Sequence, residues 1–142
     1  VIIKEQMRVY VAGAFTTLRG IQRVVKLQRA LKSMGLEVLN QLKPFKWRKL
    51  YDFKKDRALA KRIVEHDLSL LEKADVIVAL ADKPSWGVGV EVFYAKILLR
   101  KKVVAIVTKP ARSPWVINYA DIVLEELNAE KIAESIKALG GR

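Results

Sequence analysis

The sequence predicts an α/β domain organised around a parallel sheet, and three observations lead there. Short β-branched runs alternate with longer stretches of helical periodicity. Val76 to Ala81 and Val103 to Thr108 are uncharged and apolar, as strands covered on both faces are. The 142 residues suffice to bury one core without disulfides or a structural metal. Five strands joined by right-handed crossovers, in the order 2-1-3-4-5 with helices on both faces, are the expected architecture of a single domain over 1–142.

Taken in order, Arg8 to Phe15 reads as the first strand, and Gly13 within it would let backbone approach a ligand closely. Leu18 to Met34 carries Ile21, Val24, Val25, Leu27, Leu31 and Met34 near helical spacing and stops at Gly35. Leu36 to Gln41 is the second strand. Leu42 to Phe53 is irregular, longer than a tight connection requires, and suits a lid or a wall of a site. Lys54 to Lys73 reads as a long helix and Ala74 to Leu80 as a strand. A loop, Asp82 to Gly89, leads to a helix from Val90 to Arg100, then a strand from Val103 to Thr108. A loop from Pro110 to Pro114, a fifth strand from Asp121 to Leu124 and a helix from Ala129 to Leu139 complete the chain. In such sheets ligands bind beyond the carboxyl ends of the strands, where the loops Gly13 to Arg19, Asp82 to Gly89 and Lys109 to Pro114 are expected to meet.

Composition excludes several chemistries. No cysteine is present, which removes thiolate zinc sites and cysteine nucleophiles, and the lone histidine, His66, removes His-rich metal sites. No metal or other cofactor is expected. The apolar runs are far shorter than the roughly 20 residues of a membrane helix, and no secretory pattern opens the chain. A cytoplasmic protein without membrane contact is expected, with Val1 to Gln6, ahead of Met7, as a tag or ragged start. The net charge is +12, and +7 of it falls between Lys43 and Arg62, where nine basic residues face only Asp52 and Asp56. Such a field attracts polyanions or phosphorylated small molecules, and it is equally the solvated surface of a lysine-rich, heat-tolerant protein.

Two carboxylates stand out. Along the helix from Lys54, the inward stripe Ile63, Val64, Asp67, Leu70, Leu71 places an acid where the 3.6-residue period calls for an apolar side chain. Asp67 therefore either neutralises a neighbour or acts chemically, since an unpaired buried carboxylate loses stability or takes up a proton. The segment Pro84-Ser85-Trp86-Gly87-Val88-Gly89-Val90-Glu91 follows the buried strand. There Gly87, Gly89 and Ser85 suit an oxyanion or a sugar, and Glu91 falls in the first turn of an apolar helix, where the helix start favours its ionised form. A capping glutamate is the alternative reading. Two acids from helices flanking one strand can divide the work at a glycosidic bond, one attacking the anomeric carbon and one managing protons. Phe15 and Trp86 are candidates to stack on a base or to fill core, and Trp47 and Tyr51 to stack, dimerise or bind nucleic acid. Asp82 reads as a turn residue, Asp75 and Asp121 as structural, and His66 as more structural than functional.

The ordered set Tyr10-Val11-Ala12-Gly13, His66-Asp67-Leu68, Ala74-Asp75-Val76-Ile77-Val78, Pro84 to Glu91 and Tyr94-Ala95 resembles the nucleoside 2-deoxyribosyltransferase family. Within it, the Pro-Ser-x-Gly-Val-Gly-x-Glu form is most similar to the 2'-deoxynucleoside 5'-phosphate N-hydrolases. The resemblance runs from the first strand to Ser113 and leaves the basic loop outside. It implies a flavodoxin-like domain that cleaves the N-glycosidic bond of 2'-deoxynucleotides. Glu91 matches the nucleophile that attacks C1', Asp67 the aspartate that positions the sugar and manages protons at the base, and Tyr10 the tyrosine of the first strand. Ser85 and Ser113 match serines that contact the 5'-phosphate, Ser113 reaching in from the second subunit of a homodimer. Where the phosphate hydrolases carry a serine and an arginine after the first strand, Ala14 and Thr16 stand here, and Thr16, Thr17, Arg19 and the basic loop are the candidates to replace them. Water releases the sugar in a hydrolase, a second base in a transferase. A non-catalytic nucleotide- or nucleic-acid-binding module is the rival of another class, favoured by the basic aromatic loop and disfavoured by two inward acids.

Overall fold

The computed structural model describes residues 6–47 and 50–140. The segment ahead of Met7, except Gln6, and two of the nine loop cations, Arg48 and Lys49, lie outside the described residues. Five strands, β1 (Arg8–Ala12), β2 (Glu37–Leu39), β3 (Val76–Leu80), β4 (Lys102–Ile106) and β5 (Ile122–Leu124), form one sheet in the order β2-β1-β3-β4-β5. Every pairing is parallel. Strand alternation divides the core in two. Val9, Val11, Val76, Val78 and Val104 face helices α1 (Leu18–Ser33) and α5 (Ala129–Gly140). Tyr10, Ala12, Ile77, Ala79 and Val103 face the other layer, where α2 (Arg57–Lys73) and α3 (Trp86–Phe93) pack. The expected strand order and layering are therefore observed.

Local chemistry sets the boundaries. The Thr17 hydroxyl caps α1 by accepting from the Gly20 N–H at 3.0 Å, and Gly35, at φ 87, lets the chain leave that helix. β1 ends at Ala12, three residues short of the expected Phe15. Gly13 is needed there for packing, because a Cβ on it would lie 2.4 Å from Val24 Cγ2. α2 starts at Arg57 and not at Lys54, because Asp56 caps it from the Leu59 N–H at 3.0 Å. Asp52 instead holds the preceding turn, accepting from the Lys54 N–H at 3.1 Å.

The largest departure is α3. It begins at Trp86, four residues before the expected Val90, so Gly87 and Gly89 are helical and form no glycine loop. Ser85 accepts from the Val88 N–H at 3.3 Å, and the burial of Val88 and Val92 outweighs the roughly 1 kcal/mol that each interior glycine costs a helix. A π-helical turn, Tyr94–Leu98, continues it. A short helix not expected from the sequence, α4 (Pro114–Tyr119), follows β4, with Pro114 in its first turn. Asp75 and Asp121 are structural. Asp75 accepts from the Arg8 N–H and Asp121 from the Val103 N–H, both at 2.8 Å, bracing the starts of neighbouring strands.

Candidate active site

Three elements carry three polar groups into the layer between the sheet and α2 and α3. Alternation along β1 sends Tyr10 to that face, where it is fully buried. On α2, Asp67 lies between Ile63 and Leu71, four residues from each on the buried stripe. On α3, Glu91 lies three residues after Val88 and four before Ala95, both buried, which puts it on the inner arc. The Tyr10 hydroxyl donates to Glu91 Oε2, and the Asp67 charge acts on both Tyr10 and Glu91. The two acids and the phenol therefore form one interacting group, assembled from a strand and two helices.

The environment decides their protonation. Burial pushes the Asp67 carboxyl up from 3.8 to about 7. Burial likewise raises Glu91 from 4.5 to about 8, opposed by the Tyr10 hydrogen bond and helped by repulsion from Asp67. Burial first, then the two acids, pushes the Tyr10 phenol far above its ordinary value, so it stays a donor. This corrects the expectation for Glu91. The glutamate is in the second turn of α3, not the first, and burial holds its proton more strongly than any helix-start field releases it. The pair titrates as a coupled unit near neutrality, the condition in which one acid can give a proton while the other attacks.

The remaining expected residues fall in two places. Ser85, Trp86, Gly89 and Ser113 line one cavity of about 500 Å³, between the loops after β3 and β4 and the helices α3 and α4; Val90, Phe93 and Trp115 complete much of its apolar wall. Its walls include neither Tyr10, Asp67 nor Glu91, nor Gly87. Gly13, Phe15, Thr16 and Arg19 lie on the other side of β3's neighbour strand, in the turn from β1 into α1. Thr16 and Arg19 are exposed there, and Gly13 makes room for Val24. Asp82 is a clamp: it accepts from the Thr108 N–H at 2.6 Å, the Thr108 hydroxyl at 2.7 Å and the Arg23 guanidinium at 3.3 Å. Among the described residues no three His, Asp or Glu side chains gather as a metal ion would need, and no helix is long and apolar enough to cross a membrane.

The basic segment after β2 does not extend into solvent. Trp47 packs edge-on against Phe15 with ring centroids 4.8 Å apart, and against Tyr51 at 5.6 Å. Phe45 meets His66, the neighbour of Asp67, at 5.4 Å, with the Arg62 guanidinium 5.7 Å above its other contact surface. Its described cations, Lys43, Lys46, Lys54 and Lys55, are exposed. Sequence reasoning left these rings with three open roles; the structure packs them onto the residues that follow β1 and onto α2.

Comparison with known proteins adds to this geometry. A family model described as nucleoside 2-deoxyribosyltransferase matches residues 9–131. A relative from Thermofilum pendens, named provisionally as a 2'-deoxynucleoside 5'-phosphate N-hydrolase, is 37% identical over 97 residues. The match takes in 68% of this chain and 64% of the relative, so the chain spans just under two thirds of that protein's length. Among solved structures, a 2-deoxyribosyltransferase from Bacillus psychrosaccharolyticus superposes with TM-score 0.63 at 16% identity, over 89% of this chain and 90% of that one. A conserved protein from Enterococcus faecalis gives 0.66 at 18% identity, over 94% and 99%. A CMP N-glycosidase from Clostridium botulinum gives 0.58 at 14%, over 92% and 98%. At these identities the solved structures establish a common fold.

Proposed function

The chain belongs to the nucleoside 2-deoxyribosyltransferase family, and from that premise we propose that it hydrolyses the bond between base and deoxyribose in 2'-deoxyribonucleoside 5'-monophosphates. The observation that carries the reading is the convergence of Tyr10, Asp67 and Glu91 on one point of the sheet. In the ionised form, Glu91 attacks C1' as the C1'–N bond breaks, and Asp67 gives its proton to the departing base. The deoxyribosyl group is then held as an ester on Glu91. Water attacks C1', Asp67 takes the water's proton, and Glu91 leaves as a carboxylate with both acids restored. The Tyr10 hydroxyl, donating to Glu91, holds the attacking carboxylate in place and offsets part of the burial that would keep it protonated.

Supporting the phosphate are Ser85, Ser113 and the exposed Thr16 and Arg19, within the field of the basic segment. Supporting a homodimer is α3, which is apolar on its outer face as well as its inner one. Trp86 is 95% exposed, Val90 63%, and Phe93, Ile97 and Trp115 are also exposed. A helix hydrophobic all round belongs in an interior, and a second copy of this chain would supply one and bring its own Ser113 toward the site.

The test is a chromatographic screen for free base released from deoxynucleosides and their 5'-monophosphates. Release from the monophosphates, abolished by Glu91→Gln, is expected; turnover unchanged in that variant sinks the assignment. The absence of the family's serine and arginine at Ala14 and Thr16 favours a second reading, base exchange between unphosphorylated deoxynucleosides. Adding a second free base distinguishes them, because exchange yields a new nucleoside and hydrolysis a free sugar.

A further inference from the structure

Among the described residues, four buried side-chain polar atoms have no hydrogen-bond partner: Arg8 Nε, Trp47 Nε1, His66 Nε2 and Asp67 Oδ1. Arg8 is at the opposite end of β1 and lies 3.7 Å from the Asp75 carboxylate. The other three belong to one continuous wall. Trp47 rests on Phe15, and Phe45, two residues before Trp47, rests on His66, which precedes Asp67. A buried polar atom without a partner costs about 1–3 kcal/mol, and native proteins keep few of them. Three in one ring-lined wall beside two candidate catalytic acids mark the place where a ligand supplies the missing partners.

The chemistry of the three atoms narrows that ligand. Walls of Phe15, Phe45 and Trp47 suit a flat aromatic ring. An indole N–H only donates, so whatever meets Trp47 must be an acceptor, while imidazole Nε2 donates in one tautomer. On the proposed reading Asp67 serves the ring nitrogen that takes up the proton. In a purine that nitrogen, N7, has the C6 substituent beside it on the same edge. We propose that Trp47 and His66 are specificity-determining residues that read an oxygen at C6, making 6-oxopurine deoxynucleotides the favoured substrates. The inference rests on the N-glycosidase reading for its substrate class and on the orphaned atoms for its residues. It assigns a role to a segment that lies outside the family resemblance.

The test uses three 2'-deoxynucleoside 5'-monophosphates that differ at C6: the 6-oxo and 6-amino purines and the unsubstituted purine. Trp47→Phe and His66→Phe keep the ring contacts and remove the polar atoms. The parent chain is expected to favour 6-oxo over 6-amino at least tenfold in kcat/KM. Each variant should bring that ratio toward one and leave the unsubstituted purine within threefold of parent. Equal losses on all three substrates, or an unchanged ratio, would overturn the proposal, since a residue that only supports the fold cannot distinguish substituents at C6. Dissociation constants for the same nucleotides on Glu91→Gln, with and without the second substitution, separate the two readings. A 6-oxo preference in binding that Trp47→Phe erases, without base release by the parent chain, upholds this inference and refutes hydrolysis; no preference in binding or turnover refutes the inference alone.

Discussion

Replacing Glu91 by Gln should change the pH dependence of stability in a direction the structure dictates. Gln keeps an oxygen to accept from Tyr10 and removes the ionisable proton. In the parent, the glutamate has a native value near 8 against 4.5 unfolded, so between those values the native state binds more protons than the unfolded one. Stability is therefore greatest below the unfolded value and falls as pH rises through the native one. The full shift, about 3.5 units at about 1.36 kcal/mol each, sets a ceiling of about 5 kcal/mol. Water entering beside a residue that keeps some exposure brings the working figure to about 2–3 kcal/mol. Thermal melts of parent and variant from pH 5 to 9 measure it. The two should agree within about 1 kcal/mol at pH 5, then diverge in favour of the variant by about 4–12 °C at pH 9, at about 2–4 °C per kcal/mol for a domain of this size. Asp67, with a rise in the same direction, is present in both and cancels in the difference. A gap of equal size at pH 5 and pH 9 would mean that Glu91 ionises as freely as in water, and the interacting trio would be disproved.

Three further outcomes follow from the geometry. With Glu91 required ionised near 8 and Asp67 required protonated near 7, kcat/KM for base release should be bell-shaped with its maximum near pH 7.5, and Asp67→Asn should lower the rate and abolish the alkaline limb. Tyr10→Phe removes a hydrogen bond that lowers the glutamate's value, so the acidic limb should move to higher pH; an unmoved limb would separate Tyr10 from the chemistry. Gly13→Ala forces a Cβ to within 2.4 Å of Val24 Cγ2, which should destabilise the domain by about 1–3 kcal/mol in urea titrations without altering base preference.

Much of the architecture was legible because strand periodicity is a property of the chain itself. Val9 and Val11 alternate with Tyr10 and Ala12, and the apolar run through Val76 to Leu80 has the composition of a strand covered twice. Asp67 stood out for the same reason, an acid out of phase on an amphipathic helix. The start of α3 was misread because Gly87 and Gly89 have low helix propensity; the Ser85 cap and the 88, 92, 95 spacing outweighed it, and both were visible in the sequence. The same error put Glu91 at a helix start and assigned its protonation to the wrong cause. Pro114 after Ser113 similarly signalled α4. What no local pattern carried was the placement of Phe45 and Trp47. Their contacts with His66 and Phe15 join residues far apart in sequence, and only tertiary packing brings them together.

Asp82 bears on how anything reaches the acids. One carboxylate fastens the exit of β3 to Thr108, just past β4, and to Arg23 on α1. Those two strand exits and the first helix are thereby riveted into a rigid frame, which leaves little freedom for a hinge on that side. Traffic to and from Tyr10, Asp67 and Glu91 must instead pass where the fastening is by ring edges alone, at Phe45 and Trp47. The rate of admission would then be governed by how often those two rings lift, a motion that nucleotide phosphates, drawn by the neighbouring lysines, are placed to meet.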